Sequence, residues 1–129
     1  VVKADAMGCV VTLSWHMRNP VTGGSSWDLS GGNVVREVLP GGSCHQLYKE
    51  WTDKCIAFLK SLKDADGNSI PVVYRPYHEN TGGAFWWGAL SCEPEDYIAL
   101  WKILVEASAG LLRSLHQLRI AEESASLFP

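Results

Sequence analysis

The sequence predicts an α/β fold, and two observations carry that prediction. Two apolar segments rich in β-branched residues, Gly8 to Trp15 and Ile70 to Tyr77, flank a helical pattern. Strand, helix, strand in that order is a βαβ unit, which demands parallel strands. Polar residues suited to chemistry also gather just beyond the ends of both segments. His16 follows the first, and Arg75-Pro76-Tyr77-His78-Glu79-Asn80-Thr81-Gly82-Gly83 closes the second. In parallel α/β proteins that end of the strands carries the active-site side chains.

Each element has its own justification. The first strand is almost continuously apolar and β-branched, as a strand buried on both faces should be. From Asn19 to Gly42 the chain carries Asn19-Pro20, Gly-Gly pairs and Pro40, and reads as a long loop of the kind that often has a function. Ser43 is the expected N-cap of the first helix. Leu47, Trp51, Cys55, Phe58 and Leu62 then recur at helical spacing and predict its buried stripe. Lys60 and Lys63 suit the negative end of the helix dipole, and Asp66-Gly67-Asn68 stops the helix and turns the chain. The second helix is expected to start near Glu93-Pro94-Glu95-Asp96, where proline fits the first turn and acids fit the positive end of the dipole. Tyr97, Trp101, Leu104, Val105, Leu111 and Leu112 give its apolar face, interrupted by Gly110 at a cost of ~1 kcal/mol relative to alanine. His116 to Ile120 reads as the start of a third strand, and Ala121 to Ser126 as helix or coil.

Composition narrows the partners. The 129 residues suffice for one domain with a core, and the net charge of −3 favours neither nucleic acid nor an anionic membrane surface. A neutral polymer suits it. No apolar run is long enough to span a bilayer, and no signal peptide is seen at the start of the chain. Cys9, Cys44, Cys55 and Cys92 have no CxxC spacing, which argues against zinc. They read as buried free thiols, with one disulfide as the alternative if the protein is exported.

The chemistry centres on Glu79. A general acid must hold a proton near neutral pH, and a carboxyl walled by rings is desolvated, which favours that form. Tyr77, Trp86 and Trp87 are near enough in sequence to form such walls, while a contact from Arg75 would oppose them. His78 reads as a sugar-hydroxyl contact, an orienting group, or a structural histidine. His16, at the same end of a parallel neighbour, shares that end of the sheet. Trp86 and Trp87 offer flat faces on which a pyranose can pack, or wedge into the core; Trp15 and Trp27 offer further rings, with Trp15 read as core. Trp51 and Trp101 lie on helical stripes and read as core. His45 and His116 read as surface residues. Neither a metal nor any cofactor is implied: His78-Glu79-Asn80-Thr81-Gly82 lacks the second histidine of a zinc-protease helix, and Gly82-Gly83 is not followed by the lysine of a phosphate loop.

Ser14-Trp15-His16-Met17 with Asn19-Pro20, and Arg75-Pro76-Tyr77-His78-Glu79-Asn80-Thr81-Gly82-Gly83 with Phe85-Trp86-Trp87-Gly88, resemble the third- and fourth-strand segments of glycoside hydrolase family 26, the β-mannanases. Val35 to Ser43 and Phe58 to Leu62 fit as well, so the resemblance runs from about Gly8 to about Leu112. It implies a fragment of a (β/α)8 TIM barrel, two to three β/α units around strands 3 and 4, since a whole barrel takes ~250 residues. Residues 1–129 would then be a partial catalytic domain, truncated at both ends. The activity implied is retaining hydrolysis of internal β-1,4-mannosidic bonds in mannan, galactomannan or glucomannan. Glu79 matches the acid/base, Arg75 and His78 match residues supporting the catalytic centre, and His16 matches a substrate-contacting histidine. The nucleophile belongs to a much later strand and nothing here matches it; Glu37, Glu93 and Glu95 are poor substitutes. Ala84 stands where the family usually has a tryptophan that holds the sugar beyond the cleavage point. The isolated chain is expected to be inactive, with a mannan-binding remnant or an inert gene fragment as alternatives. Self-association through exposed barrel edges and a secreted, periplasmic or cell-surface parent complete the expectations.

Overall fold

The structure, a computed structural model, describes residues 1–114, so the expected third strand at His116 to Ile120 and the segment Ala121 to Ser126 lie outside the described residues. In chain order the elements are α1 (Val2–Asp5), β1 (Val11–Ser14), α2 (Val34–Val38), α3 (His45–Ser61), β2 (Val72–Arg75) and α4 (Pro94–Ser114). The expected strand, helix, strand order holds. β1 and β2 pair in parallel, with Val11 opposite Val72 and Ser14 opposite Arg75.

Both strands are shorter than the sequence suggests. A helical turn and Gly8, at φ +79°, precede β1. Pro71 has no N–H to give a ladder, and β2 begins after it. At the other end, Pro76 and a left-handed Tyr77 (φ +49°) stop β2. Burial along β1 alternates: Val11 and Leu13 are half-buried, while Thr12 and Ser14 are exposed. That corrects the expectation of a strand buried on both faces. Among the described residues one face is covered, by a small cluster of Leu59, Leu62, Ile70 and Val72 against which Val11 and Leu13 pack. The other face stays open.

α2 sits inside the segment read as loop. Asn33 caps it, accepting from the Arg36 N–H at 3.0 Å, and Val34, Val35 and Val38 are wholly buried. Three valines are poor helix formers, so tertiary burial rather than propensity forms this element. α3 begins one residue later than expected. Cys44 occupies the cap position without a side-chain capping bond, and Ser43 instead donates from its backbone N–H and its hydroxyl to Glu37 at 3.0 and 2.6 Å.

The buried stripe of α3 is also rotated by one residue along the helix, although Leu62 just past its end is buried as expected. Tyr48, Thr52, Ile56 and Leu59 are buried, whereas Leu47 and Phe58 are exposed and Trp51 and Cys55 half-buried. Trp51, Cys55 and Phe58 belong to a second apolar face, which lines an open groove with Leu13, Trp15 and Tyr74. α3 is therefore apolar on two sides, and the pattern alone selected the uncovered one.

α4 starts at Pro94 as expected. Tyr97, Leu100 and Leu104 are buried, while Trp101 is half-buried and Val105 largely exposed. Asp96 joins its first turn to α2, accepting from Arg36 at 2.9 Å and Asn33 at 2.7 Å. The main core combines these helices with Met17, Tyr77, Phe85, Trp86 and Trp87. The thiols depart from the buried reading: Cys9 is exposed and Cys44, Cys55 and Cys92 are half-buried.

The rotated stripe gives a direct test. Leu59→Ala should cost about 2–5 kcal/mol, the range for truncating a buried leucine, and Phe58→Ala about 1 kcal/mol or less. Urea unfolding of both variants measures the contrast, and the reverse order would restore the stripe expected from the sequence.

Candidate functional site

The chain after β2 is not an ordinary turn. Tyr77 and Glu79 both have left-handed backbone, at φ +49° and +56°, although neither is glycine. Such conformations are uncommon for non-glycine residues and gather at functional sites. In a continuing strand, His78 and Glu79 would point to opposite faces. The left-handed steps remove that constraint, and the Glu79 side chain is exposed.

A second loop, following β1, meets this turn. Trp86 is fully buried, and its indole N–H donates to the Met17 carbonyl at 3.0 Å. Its backbone N–H donates to the Ser26 carbonyl at 3.2 Å. These bonds draw residues 15–30 against residues 78–90. His16 and His78 then touch, with Nε2 atoms 3.3 Å apart and rings edge to face at 4.7 Å between centroids. Phe85 packs 5.5 Å from His16 and 5.1 Å from His78. Trp27 lies 5.5 Å from His16 and 5.9 Å from Phe85 and remains 59% exposed.

The predicted site residues thus divide. His16, His78 and Glu79 come together at the C-terminal end of the strand pair. Arg75 ends β2 on its open face, opposite Ser14, and is exposed; among the described residues it forms no ion pair with Glu79. Trp86 and Trp87, read as sugar platforms or as core wedges, are fully buried, so their faces are unavailable to a sugar. Trp87 stacks on Phe85 at 4.5 Å and 7° and donates to the His78 carbonyl at 2.9 Å. With Tyr77 also buried, the three rings expected to wall Glu79 belong to the core instead. Trp27 is the broad exposed face beside His16. Ala84 is exposed in the same loop as Phe85.

Electrostatics distinguish His78. Burial pushes its imidazole below the ordinary histidine value, and nearby His16 adds to this because two cations repel. The Glu79 carboxylate and the Arg75 backbone pull the other way, less strongly, while the Arg75 charge lowers it slightly. A neutral His78 can share a single proton with His16 across the 3.3 Å contact, whereas two charged rings cannot. Among the described residues, no three histidine, cysteine, aspartate or glutamate side chains cluster to hold a metal.

The model of glycosyl hydrolase family 26 matches residues 2–119. The chain belongs to this family. A mannan endo-1,4-beta-mannosidase of Bifidobacterium adolescentis is 34% identical over 128 residues, covering 99% of this chain and 12% of that protein. Among solved structures, a GH26 β-mannanase from Bacteroides ovatus superposes with a TM-score of 0.80 at 46% identity, over 82% of this chain and 31% of its own. A modular endo-β-1,4-mannanase from Cellulomonas fimi superposes with a TM-score of 0.83 at 42% identity, over 91% of this chain and 26% of its own. The chain therefore spans less than a third of the length of these relatives. Family 26 is a TIM-barrel family.

The histidine pair predicts a pH response. His78 has a folded pKa below its unfolded value, so between the two the unfolded chain binds more protons. Its contribution should be complete above about pH 6.5 and decline as pH falls towards the folded pKa. A falling Tm between pH 7.5 and 5.5, flattened in His78→Gln, is expected in thermal melts.

Proposed function

We propose that this chain carries the acid/base side of a retaining endo-β-1,4-mannanase site. Glu79 protonates the departing glycosidic oxygen and later activates the water that releases the sugar. The observation that carries the reading is the exposed Glu79 on a left-handed turn just past a parallel strand, beside the His16–His78 pair. Its support is the family, together with relatives that are mannan endo-1,4-beta-mannosidases.

Roles follow from position. Trp27 supplies an apolar face for a pyranose ring, and His16 presents a ring nitrogen to a sugar hydroxyl. His78 orients His16 through their shared contact. Arg75 adds positive charge on the open face of the sheet. Retaining hydrolysis needs a second carboxyl ~5–5.5 Å from the first. Glu37 is held by Ser43, and Asp96 by Arg36 and Asn33. Glu93 and Glu95 lie at the start of α4 and not at the strand ends. Asp28, beside Trp27, is likewise held, by Thr22 and Ser30, so the reading takes the nucleophile from outside the described residues. Mannan, galactomannan and glucomannan are all substrates of this class, and such polymers are met outside the cell membrane, by a secreted or surface protein. Among the described residues β1 and β2 each keep an unpaired edge, and these edges, with the apolar groove beside α3, favour self-association of the isolated chain.

Titration of the isotopically labelled chain with mannohexaose tests the reading. Shifts should concentrate at His16, Trp27, His78 and Glu79, without reducing-sugar release. Shifts elsewhere, or none, would sink the assignment. Turnover that vanishes in Glu79→Gln would place the nucleophile within this chain. Ala84→Trp should tighten binding: ~40 Å² of new apolar contact is worth about 1 kcal/mol, roughly fivefold in Kd.

A further inference from the structure

Glu79 is only as well aimed as the turn beneath it, and that turn is intrinsically unfavourable. Two non-glycine residues in three stand in the left-handed region. Such backbone persists only where its surroundings over-determine it. Here four successive carbonyls are each engaged. The Tyr97 hydroxyl donates to the Tyr77 carbonyl at 3.0 Å, and the Trp87 indole N–H to the His78 carbonyl at 2.9 Å. The backbone N–H of Gly82 donates to Glu79 at 3.0 Å, and that of Ala89 to Asn80 at 2.7 Å.

The last two bonds are local to the loop and close with it. The first two are different, because both donors are side chains fixed elsewhere. Tyr97 is 3% exposed in the first turns of α4, and Trp87 is fully buried against Phe85. Neither ring is placed to touch a substrate. Each hands the rigidity of the core to one peptide of the turn. The Tyr77 ring adds a third hold, buried and hydrogen-bonded to the Tyr48 hydroxyl.

We propose that Tyr97 and Trp87 are positioning residues, whose O–H and N–H donors lock the left-handed turn at residues 77–79 and thereby set the direction of the Glu79 carboxyl. The inference rests on the proposed role of Glu79 for its functional meaning, but the lock itself can be read without any sugar.

Amide hydrogen exchange on the full chain decides it, comparing wild type with Tyr97→Phe, Trp87→Phe and the control Tyr74→Phe. Tyr97→Phe removes one oxygen and keeps the ring, so it retains packing even if Trp87→Phe proves too disruptive. Tyr74→Phe removes another hydroxyl, one that accepts from the Cys55 thiol and is bonded to none of the four turn carbonyls. Loss of one lock should lower protection of the Gly82 and Ala89 amides about fivefold, with the α3 amide of Leu59 unchanged. In the control those two amides should keep their protection. Unchanged protection at Gly82 and Ala89 in both variants would overturn the lock. So would a loss spread equally to Leu59, or one reproduced by Tyr74→Phe. The same samples with mannohexaose separate the two readings: a lock that holds while wild-type Glu79 ignores the sugar refutes the mannanase assignment alone.

Discussion

The buried indole of Trp86 is the interaction on which the rest of the site depends. Its N–H reaches the Met17 carbonyl while its backbone N–H reaches Ser26, so one residue after β2 is bonded twice to the loop after β1. Parallel pairing alone would place the two loops at the same end of the sheet without fixing their separation. The tryptophan fixes it, and the contacts among His16, His78, Phe85 and Trp27 follow. An unpaired indole N–H in so dry a place would be costly, which makes this docking specific as well as favourable.

A division of labour runs through the aromatic residues. Trp86, Trp87, Tyr77 and Tyr97 are buried and use their polar side-chain atoms on backbone carbonyls or, for Tyr77, on the Tyr48 hydroxyl. Trp27 keeps its face in solvent. The buried group bonds to the turn, and the exposed ring stands beside His16. An acid/base residue benefits from this arrangement, because catalysis by a carboxyl falls steeply when its direction wanders. The open groove beside α3 and the open face of the β1–β2 pair tell a different story. They are surfaces of a kind that larger family members have more chain to cover, since this chain spans less than a third of the relatives it matches.

Some of this was legible in the residues themselves. The βαβ order, the start of α4 at Pro94 and the importance of the segment from Arg75 to Gly88 all rest on local chemistry: proline at a first helical turn, acids at a dipole's positive end, glycines after a polar strand end. α2 was not legible, because Val34, Val35 and Val38 prefer strands and form a helix only when buried among Tyr48, Leu100 and their neighbours. The register of α3 was misread for a related reason. Both of its faces are apolar, and periodicity cannot say which one meets a partner.

By itself the sequence determined which residues belong to the site's neighbourhood: His16, Arg75, His78 and Glu79 at the ends of two parallel strands, with rings nearby. Only the tertiary structure decided their placement. It buried Trp86 and Trp87, left Trp27 exposed, left Arg75 and Glu79 without an ion pair and set Tyr77 and Glu79 in left-handed backbone. The physical reason is that strand ends and helix caps are governed by neighbours in sequence. Burial and unfavourable φ values depend instead on groups such as Tyr48, Met17 and Tyr97, which reach the site only through the packing of the whole fold.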